Sequence, residues 1–212
     1  MTLKLFYSPG SCALASHIAL EESGLAFEPT RLDFSKAEQR SDAHLRINPK
    51  GRVPALADGD FFVTENPAIL RYISVLAPDK KLWPDNPRDE ARCAEWLAWI
   101  SSGVHVSYAH IRRAERYATG EEAIANVSAK GRETTRAVYE AVEEKLGAGP
   151  WAAGARYSVA DPYLFTFWTW GRGPVLAYDM PRDFPNWTAH AMRMRERPAV
   201  QRAMATEGIS LP

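Results

Sequence analysis

Cysteine is scarce in this chain: Cys12 and Cys93 are the only two in 212 residues. Two thiols cannot build a disulfide framework, so the fold has to rest on buried apolar surface. The sequence therefore reads as that of a reduced, cytoplasmic protein. Long hydrophobic runs are also missing. No apolar stretch approaches the roughly 20 residues of a membrane-spanning helix. Met1 leads into a strand-like segment rather than a secretory signal, so no membrane is expected as a partner. There is no excess of either charge. Lys+Arg and Asp+Glu stand at 26 each, which leaves no electrostatic footprint for nucleic acid or an anionic lipid surface. The five histidines are scattered without metal-ligand spacing, so no metal site is expected. Repeats and low-complexity tracts are absent.

What remains is an ordinary soluble composition, 46% hydrophobic and 25% charged. Leu3-Lys4-Leu5-Phe6-Tyr7 is short, apolar and closed by Ser8-Pro9-Gly10, which predicts a strand and a turn. Leu14, Ile18, Ala19 and Leu20 recur at helical spacing between Ala13 and Ser23, and Gly24 stops that helix. Phe27 to Leu32 predicts a second strand, completing a right-handed βαβ unit. Lys36 to Arg46 is polar with a weak helical pattern. Ala55-Leu56-Ala57 and Phe61-Phe62-Val63, separated by Asp58-Gly59-Asp60, predict a hairpin. Asn66-Pro67 reads as N-cap and first position of a helix that runs to about Leu76.

Pro78, Pro84 and Pro87 mark a linker. Beyond it the patterns are helical: Asp89 to about Tyr117, Gly120 to Leu146 (ending at Gly147-Ala148-Gly149-Pro150), and Ser158 to about Trp170. The expected organisation is an α/β unit at 1–77, a linker at 78–88 and an all-α unit at 89–212. Cys93, Trp96, Ile100 and Val104 form one apolar stripe of the first long helix, and Trp99, Gly103 and Val106 extend another. Such a helix is either central to a bundle or shared with a second subunit. Ser158 with Asp161 three residues on has capping-box spacing, a structural role rather than a catalytic one.

Two stretches carry the chemistry: Asn48-Pro49-Lys50-Gly51-Arg52-Val53-Pro54 and Thr64-Glu65-Asn66-Pro67. A proline at a strand start has a cis peptide bond as an option. The backbone of Val53 would then be available to a ligand. A helix N-terminus is a carboxylate site, and Glu65 beside it suits an ammonium. Together these motifs resemble the cytosolic glutathione S-transferase family. Ser8-Pro9-Gly10-Ser11-Cys12 resembles the corresponding segment of its bacterial beta class. The likeness extends over essentially the whole chain.

That resemblance implies a thioredoxin-like N-terminal unit and a helical C-terminal unit that carries the electrophile pocket. It also implies glutathione as co-substrate with no bound cofactor, a hydrophobic electrophile and a homodimer. Lys36, Arg52, Val53, Pro54, Glu65 and Asn66 would bind glutathione. Cys12 would contact its sulfur and be able to form a mixed disulfide with it, with Ser11, Tyr7 and His105 as further catalytic candidates. Tyr108 and Trp170 would line the electrophile pocket. A cysteine in the first turn of a helix is expected to have a lowered pKa. Cys93, on an apolar stripe, is expected to be inert.

Three departures from the beta pattern stand out. Val106 replaces a lysine, Asn66 replaces a small residue, and Gly171-Arg172-Gly173 follows Trp170 where some members have a histidine. Conjugation of glutathione to electrophiles is the leading expectation. Peroxide or disulfide reduction through Cys12 and a non-catalytic binding scaffold are the alternatives.

Overall fold

The computed structural model describes residues 2–147 and 149–210; Met1 and Ala148, which enter the sequence reading above, lie outside them. Four strands form one mixed sheet: β1 (Leu3–Tyr7), β2 (Phe27–Arg31), β3 (Ala55–Asp58) and β4 (Phe61–Thr64). Their order is β2-β1-β3-β4. β1 runs parallel to β2 and antiparallel to β3, with Leu3 opposite Phe27 and Leu5 opposite Leu56. Strand periodicity sorts the side chains. Leu3, Leu5 and Tyr7 enter the main core, while Phe6 joins Ala55 and Ala57 on the other face. The β3–β4 turn uses Gly59 at φ 63°, a left-handed value that glycine adopts without steric cost.

α1 (Leu14–Ser23) joins β1 to β2 and α3 (Asn66–Leu76) follows β4. Between them, residues 34–47 form two single 3₁₀ turns and a short helix, α2 (Asp42–Ile47). This resolves the weak helical pattern of Lys36 to Arg46. The β-α-β-α-β-β-α order is that of a thioredoxin-like unit, as expected.

Helices follow: α4 (Pro87–Trp99), α5 (His105–Arg112), α6 (Glu121–Leu146), α7 (Ala160–Gly171), α8 (Met180–Asp183), α9 (Pro185–Arg195) and α10 (Pro198–Glu207). The single helix expected from Asp89 to Tyr117 is not one regular helix. A π-helical segment at Ile100–Val104 separates α4 from α5, and α5 stops at Arg112. The Ser101 and Ser102 hydroxyls both donate to the Ala98 carbonyl, at 2.9 and 2.8 Å. Side chains that compete for a helix carbonyl loosen the ladder there. The extra residue in the turn re-aims His105 and everything after it on α5.

α7 is the hub. Every residue from Ala160 to Trp168 is buried, and the Tyr139 hydroxyl of α6 donates to the Phe167 carbonyl at 2.7 Å. Asp161, fully buried, accepts hydrogen bonds from the Ser158 N–H (2.7 Å) and the Ala152 N–H (2.8 Å), and pairs with His190 Nε2 (2.9 Å). The reach-back half of the expected capping box forms, while the Ser158 hydroxyl accepts from the Ala160 N–H at 3.4 Å rather than from the Asp161 N–H, and the helix begins at Ala160. Asp161 instead ties the 152–158 loop and α9 to α7.

The Asn66 expectation also needs correction. Asn66 is the first residue of α3, and Glu65 holds the cap position with φ 76° and no side-chain capping bond. Asn66 is buried because its side chain has other partners. Its Oδ1 accepts from the Ser16 hydroxyl at 2.6 Å and its Nδ2 donates to the Cys12 carbonyl at 2.8 Å.

Candidate active site

A cavity of about 660 Å³ opens between the β1–α1 loop, the 48–54 loop, the start of α3, one face of α5 and the end of α7. Ser8, Ser11, Cys12, Arg52, Val53, Pro54, Glu65, Asn66, His105, Tyr108 and Trp170 all line it. Chain segments separated by more than 150 residues therefore meet around one space.

The β1–α1 loop is held from several directions. Ser11 N–H donates to the Ser8 carbonyl, and Leu14 N–H to the Ser11 carbonyl. Gly10 N–H donates to Glu207 Oε2 at 2.9 Å, and the Gly10 carbonyl accepts from the Trp170 indole at 2.9 Å. Asn66 fixes the Cys12 carbonyl. Cys12 sits two residues before the first residue of α1, and its Sγ donates to the Val53 carbonyl at 3.5 Å. The Val53–Pro54 peptide bond is cis.

The lowered Cys12 pKa expected from position does not hold. Burial pushes this thiol up to about 12, with the Glu65 carboxylate adding to the rise. Only 8% of Cys12 is exposed, and desolvation penalises thiolate more than the nearby helix end favours it. At neutral pH Cys12 is a thiol that donates a hydrogen bond. Cys93 is likewise pushed up by burial, to about 11.

His105 begins α5 and packs edge-on against Phe167 (5.3 Å) and Trp170 (5.4 Å). Burial, and then the Arg52 charge, lower its pKa to about 4, so the imidazole is neutral at pH 7. Tyr108, one turn further along, packs at a tilt against Trp170 with ring centroids 4.5 Å apart.

Glu65 occupies a backbone region that residues with a Cβ rarely adopt. Such strain persists where surrounding structure over-determines it, commonly at ligand sites. Its carboxylate is paired with Lys50, whose ammonium also donates to Thr64 Oγ1 at 2.7 Å. Asn48 Nδ2 and His44 Nε2 both meet the Arg52 carbonyl, at 2.7 and 2.9 Å, which stiffens the loop before Val53.

Two candidates do not join this cavity. Tyr7 turns into the core, 4% exposed, with its ring 5.3 Å from that of His17. It follows Leu3 and Leu5 on the inward face of β1, so strand alternation removes it from the site. Lys36 is exposed and pairs with Asp33 at 3.7 Å, outside the lining.

Other residues the sequence reading passed over do belong to the cavity. Tyr163 lines it beside Asn66, and its four- and seven-residue spacing to Phe167 and Trp170 was the available signal. Arg112, Arg113 and Arg116 also line it. Among the described residues no group of His, Cys, Asp or Glu is placed to hold a metal ion, and no helix is long and apolar enough to cross a membrane.

Comparison with known proteins agrees with this geometry. The family model "Glutathione S-transferase, N-terminal domain" matches residues 1–75, and "Glutathione S-transferase, C-terminal domain" matches residues 104–198. The chain is 36% identical over 210 residues to glutathione S-transferase GstA of Escherichia coli O157:H7, covering 98% of this chain and 100% of that protein. The solved structure of a glutathione transferase homologue from Sulfitobacter, with bound glutathione, superposes with a TM-score of 0.91. It shares 35% identity over 99% of both chains. The beta-class enzyme of Sphingomonas chungbukensis gives a TM-score of 0.82 at 34% identity, covering 98% of this chain and 100% of that one. Sequence motifs, fold and full-length relatives converge, and the chain belongs to the glutathione S-transferase family.

Proposed function

We propose that this transferase binds glutathione along the 53–66 edge of the cavity and aims its sulfur at an electrophile lodged against Tyr108 and Trp170. The observation that carries this reading is the link from Asn66 to the Cys12 carbonyl, which couples the start of α3 to the sulfur end of the site. Glu65 and the α3 N-terminus take the ammonium and carboxylate of the γ-glutamyl head group. The Val53 backbone pairs with the cysteinyl unit, and Arg52 lies alongside. The glutathione proton leaves to solvent, the thiolate sulfur bonds to the electrophilic carbon, and the leaving group departs with its electron pair.

In this reading Cys12 donates its S–H to the glutathione thiolate in place of the Val53 carbonyl. Ser11 and neutral His105 stand nearby as further polar contacts. A protonated, buried Cys12 favours conjugation over peroxide or disulfide reduction, because exchange requires the thiolate. No observation favours a non-catalytic scaffold, which would have no need of a fixed thiol at this place.

We also propose the division 1–77, 78–88 and 89–212, a homodimer and a cytoplasmic setting. The exposed Phe61, Phe62 and Val75 offer apolar surface for a second copy, and sedimentation at micromolar concentration tests it. Retention on a glutathione column together with turnover of 1-chloro-2,4-dinitrobenzene tests the main reading. Flow-through without turnover would overturn it.

A further inference from the structure

The chain has no net charge, yet its cavity does. Arg40, Arg52, Arg112, Arg113 and Arg116 line it, and Glu65 is the only carboxylate among its lining residues. Lys50 already pairs with that carboxylate. Arg52, Arg112 and Arg116 have no carboxylate partner among the described residues, whereas arginines elsewhere do: Arg197 meets Glu22 at 2.5 Å and Arg136 meets Asp183 at 2.9 Å. Partial burial, and then the guanidiniums of Arg52 and Arg113, hold Arg116 below the ordinary arginine range. Like charges are thus crowded together, and the neighbouring Glu115 offsets them only in part.

A cleft lined by one sign of charge focuses its field on whatever enters. The arginines are also ordered in space. His105, Tyr108, Ala109, Arg112 and Arg116 follow one another at helical spacing on the cavity side of α5 and the turn after it. From His105 to Arg112 is seven residues, about 10 Å along the axis. His105 at the sulfur end and Arg112 thus lie at opposite ends of α5 with Tyr108 between them and Trp170 against both His105 and Tyr108, while Arg116 in the turn beyond also feels Arg52.

We infer that the electrophile carries an anionic group such as a carboxylate, on a flat apolar body about one ring away from the carbon that is attacked. The ring lies on Tyr108 and Trp170, and Arg112 and Arg116 receive the anion. Guanidinium matches the planar, two-oxygen geometry of a carboxylate. This names the substrate class of the activity proposed above and rests on that reading.

Two product conjugates test it: S-(4-carboxy-2,6-dinitrophenyl)glutathione and its neutral 4-carboxamide counterpart, with dissociation constants measured by calorimetry. The carboxylate conjugate is expected to bind about five- to ten-fold more tightly, as for charge-assisted contacts in a partly exposed cleft. In the Arg112→Gln, Arg116→Gln double variant that ratio should fall close to one. These side chains are at the surface, so the variant is expected to fold, which its circular dichroism checks. Equal binding of the two conjugates to the parent protein would overturn the inference. So would a ratio that survives the double substitution. An equal loss for both conjugates would mean that the arginines serve glutathione itself, which also overturns it. Turnover of the neutral 4-chloro-3,5-dinitrobenzamide is read separately and reports on the transferase reading alone.

Discussion

Gly10 N–H donates to Glu207 Oε2 at 2.9 Å, so the last residue of the last helix holds the loop that presents Cys12. The other carboxylate oxygen lies 2.8 Å from His17 Nδ1, and both side chains are fully buried. Glu207 thus joins α10, α1 and the β1–α1 loop. Truncation at Glu207→Ala would leave the Gly10 N–H and the His17 ring without this partner. Each unsatisfied buried group costs about 1–3 kcal/mol. Urea denaturation should show that loss, and glutathione binding by the folded protein should weaken. Unchanged affinity with reduced stability would separate the clamp from the site.

Asp161→Ala should destabilise more than the removal of an ordinary helix cap. Four groups depend on this buried carboxylate: the Ala152 N–H, the Ser158 N–H, the Ser158 hydroxyl and His190. A cap alone is worth about 0.5–2 kcal/mol, and breaking a buried charged network about 3–5 kcal/mol. For a chain of this size that lowers the melting temperature by roughly 2–4 °C per kcal/mol. Turnover per folded molecule should stay near the parent value, because Asp161 is not among the residues lining the cavity. A stable protein without activity would reverse this assignment.

These residues also mark where sequence could and could not reach. β1, the 55–64 hairpin and α1 were legible because period-two alternation, Asp58-Gly59 and Gly24 are local signals. The break at Ile100–Val104 was not. It depends on which way the Ser101 and Ser102 hydroxyls turn, and helical periodicity carries no trace of that. Glu207 reads as one more polar residue near a chain end until α1 packs over it. The Cys12 motif identified a thiol at the cavity but not its protonation. That state depends on Val53 and on neighbouring segments that close over the sulfur, and only the fold brings them together. Arg112 and Arg116 carry no local signal either, because their place at the cavity follows from how α5 packs.

His105 offers a test with a definite sign. Its folded pKa lies at about 4, below the ordinary 6.5. Between those values the unfolded chain binds more protons, so stability rises with pH across that window and is lost as pH falls through it. The full effect is at most about 3 kcal/mol. Carboxylates titrate there too, so the readout is the difference between the parent and His105→Gln. The variant should have the shallower dependence of unfolding free energy from pH 4 to 6.5. Parallel curves would place the imidazole in an ordinary aqueous environment.

Cys12 gives the final prediction, because position and burial point opposite ways. A helix start stabilises thiolate, but this sulfur is almost fully enclosed and its pKa is pushed up to about 12. Only about one molecule in 10⁵ then carries the thiolate at pH 7, against a few per cent for a free cysteine. Iodoacetamide should therefore label Cys12 slowly in the ligand-free protein, with a rate that climbs about ten-fold per pH unit from 7 to 10 and reaches no plateau. Mixed-disulfide formation with oxidised glutathione should follow the same profile, mapped by peptide analysis under non-reducing conditions. Conjugation should respond differently, since there Cys12 acts as a donor. Cys12→Ala removes one charge-assisted hydrogen bond to the glutathione thiolate, worth about 1.5–3 kcal/mol, and should raise the pKa of the bound thiol by about one to two units. Cys12→Ser keeps a donor and should retain most of the activity. A labelling plateau near pH 7, with Cys12→Ser as inactive as Cys12→Ala, would mean that the sulfur works as a nucleophile and that the enclosure opens in the ligand-free protein.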